Sequence, residues 1–209
     1  MERLIKRGSE ADIFLGKYYG KISISKIRKE RKYRQPILDK RLRKRRTINE
    51  VKMLIEVKNL NVLTPIVYYL DISKSEIIMQ YMKGKRVKEL LLEDGEHMDK
   101  CIEIGKNIGN LHQGGIIHGD LTVSNFIKYQ NKIAIIDFGL SIKSQRIEDF
   151  AMDLHILNQT LNNYYTDKSI KFFEWILLGY EEICGNPHLT KVLKRINELE
   201  NRGRYAKIT

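Results

Sequence analysis

The 209-residue chain has two cysteines, three prolines and no long apolar run. Cys101 and Cys184 form no CxxC pair and cannot staple a small scaffold, so a disulfide framework is excluded and a reducing, cytoplasmic setting is expected. No stretch approaches the ~20 uncharged apolar residues that a bilayer span requires, and no membrane association is expected. Glu2, Arg3, Lys6 and Arg7 precede any apolar run, a start unlike a secretory signal peptide. No second His or Cys stands at ligand spacing from His118, which argues against zinc. Internal repeats, low-complexity tracts and heptads are also missing. What remains, 42% hydrophobic and 31% charged residues, is the balance of a globular chain with a real core.

Positive charge is abundant and concentrated. Residues 26–46 carry 12 basic and 2 acidic side chains, which is +10 of the chain's net +12. A field this dense attracts polyanions, phosphate backbones above all. Arg28, Arg31, Arg43, Arg45 and Arg46 are the candidate phosphate contacts, with Asp39 and Lys40 assigned to solvation of a helix.

The runs ERLIKR, ADIFLGKYY and KISISKI, separated by Gly8 and Gly20, read as a three-stranded meander. Apolar residues at helical spacing (Leu38, Leu42, Val51, Leu54, Ile55) then predict a helix over 38–58. IVYYLDI and SEIIMQY supply two more strands, and 81–86 reads as a linker centred on Gly84. Met98, Cys101, Ile102, Gly105, Ile108 and His112 mark one buried helix face, where Cys101 and His112 serve the core. NFIKY and KIAIID form a hairpin, and helices run from about Ile147 to the end, broken at Pro187. The expected architecture is α+β: a β-rich lobe (1–80), a hinge (81–86), a helical lobe (87–200) and a basic tail (201–209).

The segment HGDLTVSN (118–125) followed by IIDFG (135–139) carries the chemistry. It supplies Asp120, the Asn125 amide and Asp137, hard oxygen donors of the kind Mg²⁺ prefers. Phosphoryl transfer needs little beyond a positioned metal and an oriented hydroxyl or water. This segment resembles the catalytic loop and metal-binding triplet of the protein-kinase-like superfamily. The resemblance implies that ATP and Mg²⁺ are the cofactors, that Asp120 is the catalytic base or hydroxyl orienter, and that Asn125 and Asp137 are metal ligands. His118 would be a support for the loop. The stretch around ISKIR also offers Lys21, Lys29 and Lys32, but the resemblance further implies that Lys26, in ISKIR, is the cation for the α/β-phosphates, with Glu50 as its helix partner. Thr47 and Glu50 also have the spacing of a capping box, but a helix starting near Leu38 places Glu50 in its interior and favours the ion pair. The phosphate-covering loop departs from the pattern. Gly8 aligns with the second of three glycines, Lys6 stands at the first and Ala11 at the third, so the cradle of Gly8, Ser9, Glu10 and Ala11 is weakened. Glu10 would repel phosphate unless a nearby lysine pairs with it. Gln80 and Met82 fall where kinases present hinge backbone to adenine.

RGSEADIF, YRQPILDKRLRKRRTINEVKML, the HGDLTVSNFI and IIDFGLS segments, IEDFAMDLHIL and RGRY follow in this order. Together they resemble the small atypical, PRPK-like kinase subunit of the KEOPS complex, along essentially the whole chain. That resemblance implies an ATPase or atypical serine/threonine kinase. Its partners would be the KEOPS transferase subunit, a small regulatory subunit and tRNA, and its service the formation of N6-threonylcarbamoyladenosine at position 37. Asp153 would tie down the catalytic loop, and Arg202 and Arg204 would form the basic tail. The competing readings are a small-molecule phosphotransferase, disfavoured by length and charge, and a non-catalytic RNA-binding scaffold.

Overall fold

This computed structural model describes residues 3–205, with side chains for residues 3–201. The runs around Gly8 and Gly20 form three antiparallel strands, β1 (Arg3–Arg7), β2 (Ala11–Tyr18) and β3 (Lys21–Arg28). Pro36 opens α1 (Pro36–Val57), a position where its missing N–H costs no helical bond. With β4 (Val67–Asp71) and β5 (Glu76–Gln80) the strands make one sheet in the order β1-β2-β3-β5-β4. α1 buries Met53, Leu54 and Val57, but also Asp39, Thr47 and Glu50. The first three meet the core; the polar three mark where the helix is held by hydrogen bonds and ions.

The linker expected over 81–86 is shorter than the sequence suggests. β6 (Gly84–Arg86) pairs with β8 (Phe126–Tyr129), which pairs in turn with β9 (Lys132–Ile135). A Cβ at Gly84 would stand 1.9 Å from the Lys128 carbonyl oxygen, so this glycine permits strand contact and is no free hinge.

α2 (Val87–Leu90) and α3 (Met98–Gln113) begin the helical lobe, and α4 (Ile147–Tyr164), α5 (Ser169–Cys184) and α6 (Asn186–Tyr205) complete it. On α3 the buried stripe is Cys101, Ile104, Gly105, Ile108, Leu111 and His112, while Met98 stays exposed. α3 and α5 approach closely because Gly105 and Gly179 oppose each other's partner backbone. Added Cβ atoms would lie 1.9 Å from the Ile176 carbonyl oxygen and 2.0 Å from that of Ile102. The helical run breaks at Tyr165–Lys168 as well as before Pro187, which sits in the first turn of α6. That helix runs on to Tyr205, so the stretch from 201 begins as helix; the side chains of Arg202 and Arg204 lie outside the described residues.

One core joins the lobes. Leu54, Val57, Ile77 and Met79 are continuous with Phe126, Ile135, Phe138 and the α3 stripe. A parallel bridge of Leu63 to Ala134, with the Ile135 N–H donating to the Leu63 carbonyl at 2.9 Å, adds a backbone tie. The cleft between the lobes is therefore set by packed elements rather than by a loose connector.

Candidate active site

Strand alternation puts Lys26 and Arg28 on the same face of β3, toward α1. The Lys26 ammonium donates to Glu50 Oε1 at 2.7 Å and to Asp137 Oδ1 at 2.7 Å, joining β3, α1 and the segment after β9. Glu50 is thus an ion-pair residue in the helix interior; Thr47 donates to the Arg43 carbonyl and forms no box with it. Burial opposes the charge on Lys26, but Glu50 and Asp137 outweigh it and raise the pKa. Burial likewise opposes ionisation of Asp137, yet Lys26 and then Arg28 hold its carboxyl at about 2. Asp137 has φ 68, a left-handed conformation uncommon for a residue with a side chain and a kind of strain that clusters at functional sites.

The catalytic-loop segment is fixed from behind. Asp153, on α4, accepts from the His118 N–H at 2.6 Å, the Gly119 N–H at 2.9 Å and the His112 ring at 3.4 Å. Gly119 has φ 77 and lies against the Leu140 backbone, a place for glycine alone. His118 is fully buried, its ring against Phe138 and its Nε2 at 3.1 Å from the Ile136 carbonyl. It supports the loop, as the sequence suggests. Asn125 donates its amide to the Asp120 carbonyl at 2.8 Å and to the Asp120 carboxylate at 3.1 Å. Burial raises the pKa of Asp120, partly offset by that bond from Asn125.

Lys26, Glu50, Gln80, Met82, Asn125 and Asp137 all line one cleft between the lobes. Ile13, Ile24, Met79 and Ile136 supply apolar walls. Met82 is buried and its backbone groups make no hydrogen bond among the described residues. Gln80 lines the cleft too, but its side chain is engaged by the Ile66 N–H and the Tyr129 hydroxyl. Gly8, Ser9, Glu10 and Ala11 do not line this cleft. Gly8 closes a tight turn onto the Ala11 carbonyl at 3.0 Å, Ser9 is exposed and Ala11 is buried.

Arginines rather than a lysine neutralise Glu10: Arg46 at 2.7 Å and Arg28 at 3.8 Å. Arg28 is thereby removed from the surface contacts expected of it. It is buried, donates to Glu50 Oε2 at 2.5 Å and lies against Gly139, where a Cβ would meet its guanidinium at 2.3 Å. Asp39 likewise is no solvating residue; it is fully buried between Arg43 at 2.6 Å and Arg34 at 3.8 Å. The signal for Arg28 lies in its i+2 relation to Lys26 within a strand. Nothing in the sequence marks Asp39.

The donor set fits Mg²⁺. Asp137 offers a carboxylate, and Asn125, whose amide N–H groups face Asp120, retains an oxygen acceptor. Hard oxygens in small number suit an ion that keeps several waters and substrate oxygens. Among the described residues no group of three or more His, Cys, Asp or Glu side chains forms a metal cluster.

The sequence matches the protein kinase domain family over residues 2–165. It is 41% identical to the KEOPS complex subunit Bud32 of Pyrococcus abyssi, over 97% of this chain and 96% of that protein. The chain belongs to the Bud32 family of protein kinase domains. It is also 36% identical, over 98% of its length, to a probable bifunctional tRNA threonylcarbamoyladenosine biosynthesis protein of Methanobrevibacter smithii, of which it spans 37%. Among solved structures, the Rio2 kinase-ADP/Mg²⁺-phosphoaspartate complex from Chaetomium thermophilum aligns with TM-score 0.63 and 15% identity, covering 94% of this chain and 70% of that one. WaaP in complex with acyl carrier protein aligns with TM-score 0.64 and 13% identity, over 98% and 88%. At such identities these two show the fold alone: a kinase-like pair of lobes, antiparallel sheet above and helices below. Among the described residues no helix is long and apolar enough to cross a membrane.

Proposed function

We propose that the chain binds ATP with Mg²⁺ in the interlobe cleft and transfers the γ-phosphoryl group to water or to a serine or threonine hydroxyl. In this reading it acts as a KEOPS subunit, with the transferase and small regulatory subunits, in forming N6-threonylcarbamoyladenosine at position 37 of tRNAs. The observation that carries it is Lys26 held at 2.7 Å from both Glu50 and Asp137, a cation fixed between two lobes at the edge of an apolar cleft. The names of the Pyrococcus and Methanobrevibacter relatives support the complex and the modification.

Lys26 positions phosphate oxygens, and Glu50 fixes the ammonium from behind. Asp120, oriented by Asn125, accepts a hydrogen bond from the attacking hydroxyl or water. Asp137 and Asn125 are the residues that would hold Mg²⁺. When bound, that ion supplies charge neutralisation on the β- and γ-oxygens. Met82 offers backbone to adenine.

The short segment after Asp137 supports an acceptor other than a free peptide. β10 (Ile142–Lys143) returns to pair with β7 (Ile116–Ile117), and α4 starts at Ile147. A serine acceptor therefore has to be delivered by a docked protein, because misplacing an acceptor loses effective molarity steeply. The test is reconstituted threonylcarbamoyl transfer with wild type beside Asp120→Ala, run with phosphate release and a peptide array. Loss of transfer in the variant, hydrolysis stimulated by the partners and little peptide phosphorylation are expected. Full transfer by a folded Asp120→Ala chain would refute the role.

A further inference from the structure

The phosphate-covering turn has lost two of its three glycines, and the cleft has gained side-chain cations in their place. Between β1 and β2 the register slips between Leu4 and Lys6, so the ladder carries an irregularity around Ile5. Such a bulge breaks strand alternation and re-aims side chains. Its effect here is that two adjacent residues, Ile5 and Lys6, both line the cleft. Lys6 makes no side-chain hydrogen bond or ion pair among the described residues.

Arg86, at the end of β6 on the opposite lobe, lines the same cleft. Its Nη1 donates to the Ser124 carbonyl at 2.6 Å, which holds the guanidinium in place and leaves other N–H donors in its fork. The anions nearby are already matched, since Glu50 and Asp137 share Lys26. Partial desolvation in the cleft and the like charge of Arg86 lower the pKa of Lys6, Asp137 offsets part of this, and Lys26 and Lys88 add to it. Two cations facing one opening without a carboxylate of their own are complementary to an anionic ligand.

We infer that Lys6 and Arg86 form a two-sided clamp on the phosphates of a nucleoside triphosphate, with side chains doing what backbone N–H groups do in a glycine-rich loop. This deepens the ATP reading and rests on it. The clamp makes affinity depend on ligand charge: ATP is favoured over adenosine, and the preference shrinks as salt rises.

The test is titration calorimetry of the full chain with ATP, adenosine and inorganic tripolyphosphate, comparing wild type, Lys6→Met and Lys6→Arg. Lys6 is exposed and unpaired, so its variants should fold, and thermal melting checks this; Arg86 is left alone because it holds the Ser124 carbonyl. Removing a charged hydrogen bond weakens binding about tenfold to a hundredfold. That loss is expected for ATP with Lys6→Met, with adenosine unchanged and Lys6→Arg near wild type. ATP affinity unchanged by Lys6→Met, or ATP and adenosine weakened alike, would overturn the clamp. Wild type that binds tripolyphosphate but not ATP would sink the ATP reading instead; a Lys6→Met loss for tripolyphosphate would still uphold the clamp.

Discussion

Arg28 donates to Glu50 Oε2 at 2.5 Å, while Lys26 takes the other oxygen of the same carboxylate. In a kinase-like fold the lysine–glutamate pair is the part that helix movement makes or breaks. Here a second cation grips the glutamate, and it also touches Glu10 and packs against Gly139. The pair is thus tied to the sheet, the helix and the post-strand segment at once.

Arg28→Ala should therefore cost both stability and turnover. Removing one partner of a buried pair typically costs about 3–5 kcal/mol, and Lys26 remaining on Glu50 puts the expectation near the lower end. Chemical denaturation and phosphate release on the same preparation check this. Arg28→Lys should recover charge but not the two-sided grip, leaving activity reduced. Wild-type stability and turnover in Arg28→Ala would remove Arg28 from the site.

With Asp120 as the proposed catalytic carboxylate, its ionisation should set the acid side of the pH profile. Its folded pKa is raised by burial above the ordinary 3.8, so turnover should fall, as pH drops, through a limb lying above that value. Ionised Asp120 is a burden on the fold above its unfolded pKa, and protonation relieves it as pH falls. Asp120→Asn should then lose turnover without losing stability at neutral pH. Asp137 has the opposite sign: its pKa lies at about 2, so its contribution to stability is present above 3.8 and fades between about pH 4 and 2. Melting temperature against pH for wild type, Asp120→Asn and Asp137→Asn separates the two.

The basic run divides into structural and exposed halves. Arg43 is held by Asp39 and Arg46 by Glu10, whereas Arg41 and Arg45 are exposed and make no ion pair among the described residues. Neutralising Arg41 and Arg45 should weaken tRNA association and flatten its salt slope by about one unit for each phosphate no longer neutralised. Arg43→Ala should instead lower the melting temperature, because it uncovers buried Asp39. An unchanged salt slope in the Arg41, Arg45 variant would assign tRNA binding to other surfaces.

The strands, the long helix and the HGD, Asn and DFG spacing are legible because each follows from local pattern: period-two alternation, apolar spacing and residue types at fixed offsets. Glu50 is legible once α1 is known to start well before it. Asp39 escapes such a reading, and Arg28 is marked only by its i+2 relation to Lys26 in β3. A charge run reads as solvated surface, and a single sequence does not tell which members are buried: Glu50 on α1 claims Arg28, while Asp39 is buried against Arg34 and Arg43 of its own run. β6 reads as linker because Gly84 signals a turn locally, while its close approach to Lys128 is a tertiary fact. The turn at Gly8 is expected over the phosphates, but the bulge beside it brings Lys6 to the cleft instead.

The phosphoryl-transfer centre stands or falls with Asp137. Its carboxylate holds Lys26 at 2.7 Å, and the proposed mechanism makes it the main oxygen donor for Mg²⁺. The most direct measurement is ATP turnover by Asp137→Ala, cleared of contaminating ATPase and shown by circular dichroism and melting to be folded. The account predicts turnover at background with the fold intact. Wild-type turnover by that folded variant would contradict it.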